Sequence, residues 1–156
     1  MYAVIVGGGK VGANVGRALL RMGHEVSIVE ARPSRFATLE SEFEHIARYG
    51  DGTEIFVLEA AGMARADVCI AVTGDDEDNI IIGQVARDHF GVENVVASSG
   101  TALTREQAAL IHRFADEVTL IYDGDQAGIK AALRGIDILL ENDLRVRVIA
   151  LPEHED

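Results

Sequence analysis

The chain has 156 residues, of which 48% are hydrophobic, so it is long enough to bury the core of one ordinary domain. Its formal net charge of −12 disfavours nucleic acid and anionic lipid as partners, and no apolar run approaches the length of a membrane span. The single cysteine, Cys69, excludes a disulfide framework and is expected to be buried. We therefore expect a soluble, cytoplasmic protein whose partners are neither membranes nor nucleic acids.

The first thirty residues predict a strand, a glycine turn, a helix and a second strand. Residues 2–6 form a short apolar run that ends in the sequence Gly-Gly-Gly-Lys-Val-Gly at residues 7–12, called the glycine turn below. The next segment predicts a helix that lasts until Gly23 and packs through Val11, Val15, Ala18, Leu19 and Met22. Residues 24–29 then predict a second strand, with Glu30 at its C-terminal end.

The glycine turn has the G-x-G-x-x-G pattern between a strand and a helix, which is the setting that dinucleotide sites require. Gly7 allows the tight turn, Gly9 lets the backbone approach a pyrophosphate, and Gly12 lets the helix pack closely on the strand. Free N–H groups at the start of a helix favour an anion there. We therefore predict phosphate binding at this turn. The alternative is a glycine turn that serves only packing.

Glu30 stands where the motif requires an acid, roughly twenty residues after the glycines. A carboxylate in this position can accept hydrogen bonds from ribose hydroxyls, and its charge would repel a 2′-phosphate. The sequence therefore favours NAD or an adenosine nucleotide over NADP. Arg32, two residues further on, weakens that preference.

The rest of the chain continues to alternate predicted helices and strands. Helices are expected at residues 33–43, 54–61, 77–90, 105–115 and 129–142, and strands at 45–49, 67–72, 94–97, 117–122 and 145–151. Thr104 and Gln107 predict a capping box at the start of one helix. The pattern predicts an α/β fold class: a single three-layer, Rossmann-like, doubly wound sheet, mainly parallel, of about seven strands. The expected order is 3-2-1-4-5-6-7, in one domain over residues 1–156.

Several further motifs of residues 1–97 occur together in one known family. They are Gly-Asp-Gly-Thr at residues 50–53, Ala-Asp-Val at 66–68, Ala-Val-Thr at 71–73 and Asp-Glu-Asp-Asn at 76–79. With the glycine turn and Glu30, they make this part of the chain resemble the nucleotide-binding half of an RCK domain. This family, also called Trk-type, regulates potassium channels and transporters. The resemblance implies a Rossmann-like fold that binds NAD or an adenine nucleotide such as ATP, ADP or AMP.

The resemblance also implies which residues contact the nucleotide at the switch point between strands one and four. Asp51 and Gly52 would lie near the adenine, and Thr73 with Gly74 near the ribose or phosphate on the opposite side. The predicted cofactor-binding residues are Gly7, Gly9, Lys10, Val11, Gly12, Glu30, Ala31, Arg32, Asp51, Gly52, Thr73 and Gly74.

Residues 98–156 resemble a different family. Ser-Gly-Thr-Ala-Leu-Thr at residues 99–104, Glu117, Tyr-Asp-Gly-Asp at 122–125, Ala-Gly at 127–128 and Leu-Pro-Glu at 151–153 follow the order of the Toprim domain of bacterial DnaG-type primases. In that family two aspartates hold Mg²⁺ for phosphoryl transfer, which implies Asp123 and Asp125 as metal ligands.

A simpler interpretation of Asp123 and Asp125 is a solvated turn and helix cap. The first acidic element of the Toprim family, a glutamate after an earlier strand, is absent, because the RCK-like part stands in its place. We therefore expect no primase, nuclease or topoisomerase-like activity. Magnesium-dependent phosphoryl transfer remains as an alternative.

The two resemblances meet without a Pro- or Ser-rich linker near residues 93–99. We therefore hypothesise a chimera, recombined or engineered, of an RCK-like part (1–97) and a Toprim-like part (98–156). The expected function is a nucleotide-binding module without catalytic turnover, and so not an enzyme. The alternatives are a folded scaffold with vestigial sites and a dehydrogenase, for whose substrate domain the chain has no room. The sequence leaves the oligomeric state open.

Overall fold

A computed structural model describes residues 1–97, 103–113, 116–122 and 126–150 of the chain. The chain falls into two compact units, Met1–Gly100 and Thr101–Asp156. Each unit has its own sheet and its own hydrophobic core. The single domain over residues 1–156 therefore stays a prediction.

The first unit alternates strands and helices, as the sequence predicts. Its strands are β1 (Tyr2–Val6), β2 (Glu25–Glu30), β3 (Ala47–Tyr49), β4 (Val68–Ala71) and β5 (Asn94–Ala97). Its helices are α1 (Lys10–Arg21), α2 (Pro33–Phe43), α3 (Ile55–Ala60) and α4 (Asp76–Asp88), with a 3₁₀ turn at Met63–Arg65. The third strand begins two residues later than predicted, because Glu44 and His45 adopt positive φ angles that a strand does not accommodate.

The five strands form one parallel sheet in the order β3-β2-β1-β4-β5. This confirms the predicted α/β class and the doubly wound order of the first five strands. The order reverses at β1, which pairs with β2 on one side and with β4 on the other. The crevice outside the C-terminal ends of β1 and β4 is therefore the place where such folds bind ligands.

Both faces of this sheet are covered, so its central strands are almost wholly apolar. Val4, Val6 and Val29 pack on one face beneath α3, the 3₁₀ turn and α4, while Ile5 and Ile28 pack on the other face beneath α1 and α2. Each fully buried aliphatic side chain of this kind contributes about 1.5–3 kcal/mol. Cys69 is buried as expected, and its burial raises the pKa of the thiol to about 12.

Helix α1 packs on the sheet through small residues together with part of the predicted apolar stripe, since Val15 and Leu19 contact the core. Gly12, Ala13 and Gly16 are its buried positions, whereas Val11 and Met22 are exposed. The predicted packing of Val15 and Leu19 is therefore confirmed and that of Val11 and Met22 was wrong. The buried glycines were missed because they contribute nothing to a hydrophobic periodicity. The small residues allow the backbone of the helix to lie close to β1 and β2.

The second unit contains α5 (Arg105–His112), β6 (Glu117–Tyr122), α6 (Gln126–Glu141) and β7 (Arg145–Ala150). Ala108, Leu139 and Leu144 form its buried core. The predicted capping box is confirmed: the Gln107 N–H donates to Thr104 Oγ1 at 3.2 Å, and the Thr104 N–H donates to Gln107 Oε1 at 3.0 Å. Among the helices of the described part, none combines the length and apolar character that a bilayer crossing needs.

The predicted extension of the sheet by strands six and seven was wrong. β6 and β7 pair with each other, in parallel, as a two-stranded sheet of their own. Both have six residues, and all six positions from Glu117↔Arg145 to Tyr122↔Ala150 are in register. The six-residue ladder between β6 and β7 is longer than the four described positions of β5 could offer to either strand.

Candidate functional site

The glycine turn connects β1 to α1 at the crevice, and two of its glycines are required by the fold. Gly7 has a φ of +108°, and a Cβ there would lie 2.5 Å from the carbonyl oxygen of Val72. A Cβ on Gly12 would lie 1.9 Å from the carbonyl oxygen of Gly7. Both contacts are with backbone atoms, which cannot move aside as a flexible side chain would. These two positions therefore accept only glycine.

Gly9 differs from both, because nothing in the fold requires a glycine there. It is the N-cap of α1, with φ −63° and ψ −168°, angles that any residue adopts. The nearest atom to a Cβ on Gly9 is Arg32 Nη2, at 3.9 Å. The space above Gly9 is thus open, as the close approach of a ligand to the backbone would require.

Glu30 is buried beside this turn, with 4% of its surface exposed, and its carboxylate accepts four hydrogen bonds. The Gly8 N–H donates to Oε2 at 3.0 Å, and the Arg32 N–H donates to Oε1 at 2.9 Å. The Arg32 guanidinium adds a bidentate pair, Nε to Oε1 at 2.8 Å and Nη2 to Oε2 at 2.9 Å. The predicted acid therefore fixes the shape of the glycine turn, and an arginine covers its oxygens.

These contacts set the protonation state of Glu30. Burial by itself raises the pKa of this carboxyl, but the hydrogen bonds and charge of Arg32, together with the Gly8 N–H, outweigh it and lower the pKa below its usual value. A carboxylate with a lowered native pKa stabilises the fold above the pKa of the unfolded chain, about 4.3. That stabilisation is lost as the pH falls from there through the native pKa.

Replacing Glu30 by glutamine is expected to lower the free energy of unfolding by about 2 kcal/mol at pH 7, because it removes charged hydrogen bonds from a buried group. The difference in the free energy of unfolding between Glu30→Gln and the unmodified protein should shrink as the pH falls through about 4 and below. Urea unfolding over a pH series measures both effects. The control Glu42→Gln removes the same charge from an exposed ion pair with Arg17 and should change stability far less. An unchanging difference down to low pH would contradict this prediction.

Two residues that the sequence analysis did not assign also shape the turn. Arg35, in the first turn of α2, donates from Nε to the Gly8 carbonyl oxygen at 2.6 Å and reaches the Gly9 carbonyl oxygen from Nη2 at 3.4 Å. A Cβ on Gly8 would lie 2.2 Å from Leu39 Cδ1. The position of Arg35 shortly after β2 could have indicated that it lies near the crevice. Its hydrogen bonds to the glycine turn depend on tertiary packing, which the sequence does not show.

The opposite side of the crevice is the loop after β4, which Asn79 holds in place. Asn79 is buried, and its Oδ1 accepts hydrogen bonds from the Thr73 N–H and the Thr73 hydroxyl, both at 2.8 Å. Asp75 caps α4 by accepting from the Asp78 N–H at 3.0 Å. A Cβ on Gly7 would also lie 2.7 Å from the Thr73 nitrogen, so the two loops adjoin.

The loop after β3 forms a third side. Asp51 Oδ1 accepts from the N–H and the hydroxyl of Thr53, at 2.9 and 2.8 Å, and these bonds hold the pKa of Asp51 below its usual value. A Cβ on Gly52 would lie 2.1 Å from Val6 Cγ1, so this glycine lets the loop pack on the end of β1. Burial raises the pKa of Asp78, and the charges of Asp75, Asp51 and Glu77 raise it further. This side of the crevice is therefore acidic.

The structure brings most of the predicted residues to one end of the sheet. Gly7, Gly9, Gly12, Glu30 and Arg32 are linked by the contacts above, and the loops that carry Gly52 and Thr73 adjoin β1 or the turn. The other predicted residues at this end are Lys10, Val11, Ala31, Asp51 and Gly74, and a Cβ on Gly74 would meet open space. Asp123 and Asp125 lie outside the described residues. Within the described part, no three acidic, histidine or cysteine side chains group as a metal site.

The sequence profile of the TrkA-N domain matches residues 3–122. The chain belongs to the TrkA-N domain family. The match includes the glycine turn, Glu30, Asp51 and Thr73, and it continues past residue 97 into the part that resembles Toprim domains.

Curated relatives of this TrkA-N domain fall into two groups. The Trk system potassium uptake protein TrkA of Streptomyces coelicolor is 40% identical over 97 residues, 62% of this chain and 44% of that protein. A DNA primase of Clostridium acetobutylicum is 43% identical over 91 residues, 55% of this chain and 15% of the primase. The chain thus spans less than half the length of these relatives. Both resemblances are confirmed, with the primase matches covering the C-terminal part.

Solved structures agree with the fold of this TrkA-N domain. The Kef C-terminal domain of Shewanella denitrificans, in an AMP-bound form, superposes with a TM-score of 0.57 at 27% identity over 72% of this chain and 66% of that one. The TrkA-N domain of the Escherichia coli inner membrane protein ybaL has a TM-score of 0.58 at 15% identity, over 96% of this chain and 86% of that one. The second likeness supports the Rossmann-like fold only.

Proposed function

We propose that this TrkA-N domain is a nucleotide-binding module that binds NAD(H) or an adenine nucleotide at the glycine turn and does not turn it over. The observation that carries the proposal is the open position of Gly9. Gly7 and Gly12 are explained by packing, whereas Gly9 has room for a side chain that it does not carry. A glycine without a structural reason, at the N-cap of a helix, is what a pyrophosphate requires.

The residues present fit such a ligand. The backbone N–H groups at the start of α1 would hold the phosphates, and Lys10, exposed in the first helical turn, would add a positive charge. Glu30 would accept the ribose hydroxyls once the Arg32 guanidinium moves aside, which its 66% exposure allows. The acidic side around Asp51 would suit the amino group of adenine, a hydrogen-bond donor, better than another phosphate.

Related proteins support an adenine nucleotide. The Kef C-terminal domain is described in an AMP-bound form and is 27% identical to this chain. AMP shares its adenosine and α-phosphate with ATP, ADP and NAD, so one half-site serves them all. We further propose that the domain acts in the cytoplasm and that Asp123 and Asp125 contribute nothing to nucleotide binding.

A second candidate function is a folded scaffold without a ligand. One observation favours it: all four hydrogen bonds accepted by Glu30 come from the chain itself, so the acid has a structural role of its own. This candidate agrees with a chimeric origin, which we propose for the chain because TrkA and primase relatives match its two parts. Joining parts of two families would leave ancestral binding sites that no longer bind a ligand.

Calorimetric titration with NAD, NADH, ATP and AMP, with and without Mg²⁺, separates these candidates. We expect at least one nucleotide to bind with a dissociation constant of about 1–100 μM, independent of Mg²⁺. Absence of heat from all four, with a cooperative unfolding transition retained, would support the scaffold. Binding that requires Mg²⁺ and is lost in Asp123→Asn would instead support the Toprim-type alternative. Hydrolysis of ATP or oxidation of NADH during the titration would contradict the absence of turnover.

A further inference from the structure

A second cleft lies in the first unit at the opposite end of β2 from Glu30. It has a volume of about 340 Å³ and is formed around the start of β2 and the turn before β3. We call it the basal cleft; its lining includes Tyr2, His24, Ser27, His45, Arg48 and Arg65. Its volume is within the range of small-ligand sites. No part of the glycine turn contributes to it.

Ser27 is the first reason to assign a ligand to this cleft. Its side chain is 4% exposed and lines the cleft from the middle of β2. Its Oγ is the buried side-chain polar atom, in the described part of the chain, that lacks a hydrogen-bond partner. Buried hydroxyls are almost always paired, so an unpaired one that faces a cleft indicates a partner from outside the chain.

The backbone beside Ser27 is the second reason. β3 begins opposite Ile28 and does not extend toward the start of β2. The Ile28 N–H donates toward β3, to the Ile46 carbonyl oxygen at 2.9 Å. Because a strand points alternate residues to the same side, the N–H of Val26 faces the same direction, at a position that β3 does not reach. The cleft therefore follows a short open edge of the sheet.

The charges of the lining are the third reason. The chain carries 26 acidic and 14 basic residues, yet this cleft has two arginines, two of the five histidines and the single carboxylate of Glu25. Arg65 Nη1 lies 3.2 Å from Glu25 Oε2, and its guanidinium stacks 3.6 Å from the centre of the Tyr2 ring. The stacking holds this cation at the mouth of the cleft.

Arg48 is held by a turn of unusual shape. Its Nη1 donates to the carbonyl oxygens of His45 and Ala47, at 2.7 and 3.0 Å. A guanidinium has five N–H donors, so these two bonds leave donors for a ligand. His45 and Glu44 adopt φ angles of 65° and 36°, which residues other than glycine seldom do. Strained backbone of this kind persists where the surrounding structure holds it, and it occurs more often near functional sites than elsewhere.

From the juxtaposition of the unpaired Ser27 hydroxyl, the open edge of β2 and the Arg48 and Arg65 guanidiniums, we propose that the basal cleft binds a small anion through a phosphate group. A hydroxyl, a backbone N–H and two guanidiniums are the donors that phosphate oxygens accept from. The proposal does not rest on nucleotide binding at the glycine turn, because the two sites share no residue.

Titration with inorganic phosphate, followed by ¹H–¹⁵N NMR at constant ionic strength, tests the proposal. We expect saturating shifts at the amides of Val26, Ser27 and Ile46, and a loss of affinity of about tenfold in Ser27→Ala and in Arg48→Gln. Arg21→Gln is the matched control, because Arg21 is an exposed arginine that does not line the cleft. A parallel titration with glycerol phosphate shows the source: tighter binding indicates an organic phosphate, and equal binding indicates free phosphate.

The proposal is wrong if phosphate shifts these amides no more than chloride does, or if Arg21→Gln weakens binding as much as Arg48→Gln. Shifts at residues 8–12 instead would place the anion at the glycine turn and also overturn it. Binding of NAD or AMP with no phosphate response at Ser27 would refute this site while leaving the proposed function intact. A phosphate response at Ser27 with no binding of NAD or AMP would support this site and refute the proposed function. The dispersion of the same spectra shows that each variant is folded.

Discussion

Replacing Gly9 by alanine is expected to reduce the affinity for NAD or AMP by at least about 100-fold, equivalent to about 2.8 kcal/mol. The added methyl group would occupy the open space above the N-cap of α1, where we propose that the pyrophosphate lies. The same change should alter the free energy of unfolding by no more than about 1 kcal/mol, because alanine is a poorer N-cap residue than glycine but lowers the entropy of the unfolded chain. Alanine accepts the backbone angles of Gly9, and it restricts the unfolded chain.

The measurement is calorimetric titration paired with urea unfolding. Gly16→Ala is the control for binding, since it adds a methyl group to the same helix beyond the first turn, facing the side chain of Ile28. Undiminished affinity in Gly9→Ala would mean that the phosphates lie elsewhere. A large loss of stability would mean that the glycine serves the fold after all.

Replacing Gly12 by alanine should give the opposite result, a loss of about 3 kcal/mol in the free energy of unfolding. Its Cβ would lie 1.9 Å from the Gly7 carbonyl oxygen and 3.2 Å from Ile5 Cγ2. Relief requires that α1 move away from β1 or that the glycine turn change shape. Nucleotide binding should therefore fall together with stability. Gly9→Ala, in contrast, should weaken binding without a large loss of stability.

Gly16→Ala again serves as the comparison, because it makes the same substitution one turn later on the buried face of α1. Its Cβ would lie 3.0 Å from Ile28 Cδ1, the end of a side chain that can adjust. The higher helix propensity of alanine, about 1 kcal/mol, offsets this crowding. We expect little net change. Equal unfolding free energies for Gly12→Ala and the unmodified protein would show that the helix and the turn are not in the close contact described.

The sequence predicted the first sheet well because its signals are local. Short apolar runs, glycines at their ends and amphipathic segments between them predict the alternation of strands and helices. The glycine turn assigns this alternation to the Rossmann-like fold, from which the order β3-β2-β1-β4-β5 follows. The pairing of β6 with β7 was not predictable in the same way. Which edge a strand joins depends on matching lengths and register over distance, and no local pattern encodes the match between Glu117 and Arg145.

In the candidate site, too, local features were predictable and side-chain contacts were not. Gly7, Gly12 and Glu30 were found from their spacing. Backbone geometry decides the two glycines, and the place of Glu30 at the end of β2 decides the acid. The sequence did not predict the side-chain hydrogen bonds that support the site. They run from Arg32 to Glu30, from Arg35 to the Gly8 carbonyl oxygen and from Thr73 to Asn79. Each depends on the rotamer of a long or branched side chain in the folded protein, which spacing does not determine.

The support of the glycine turn has a consequence for how such a domain can evolve. In the described part of the chain, the turn, Glu30 and Thr73 are held by residues of the first unit: Arg32, Arg35, Leu39, Val72 and Asn79. A glycine turn that is supported within its own unit keeps this support when the segment C-terminal to that unit is exchanged. All of these residues precede residue 100, so an exchange of the segment that follows leaves each of them in the chain.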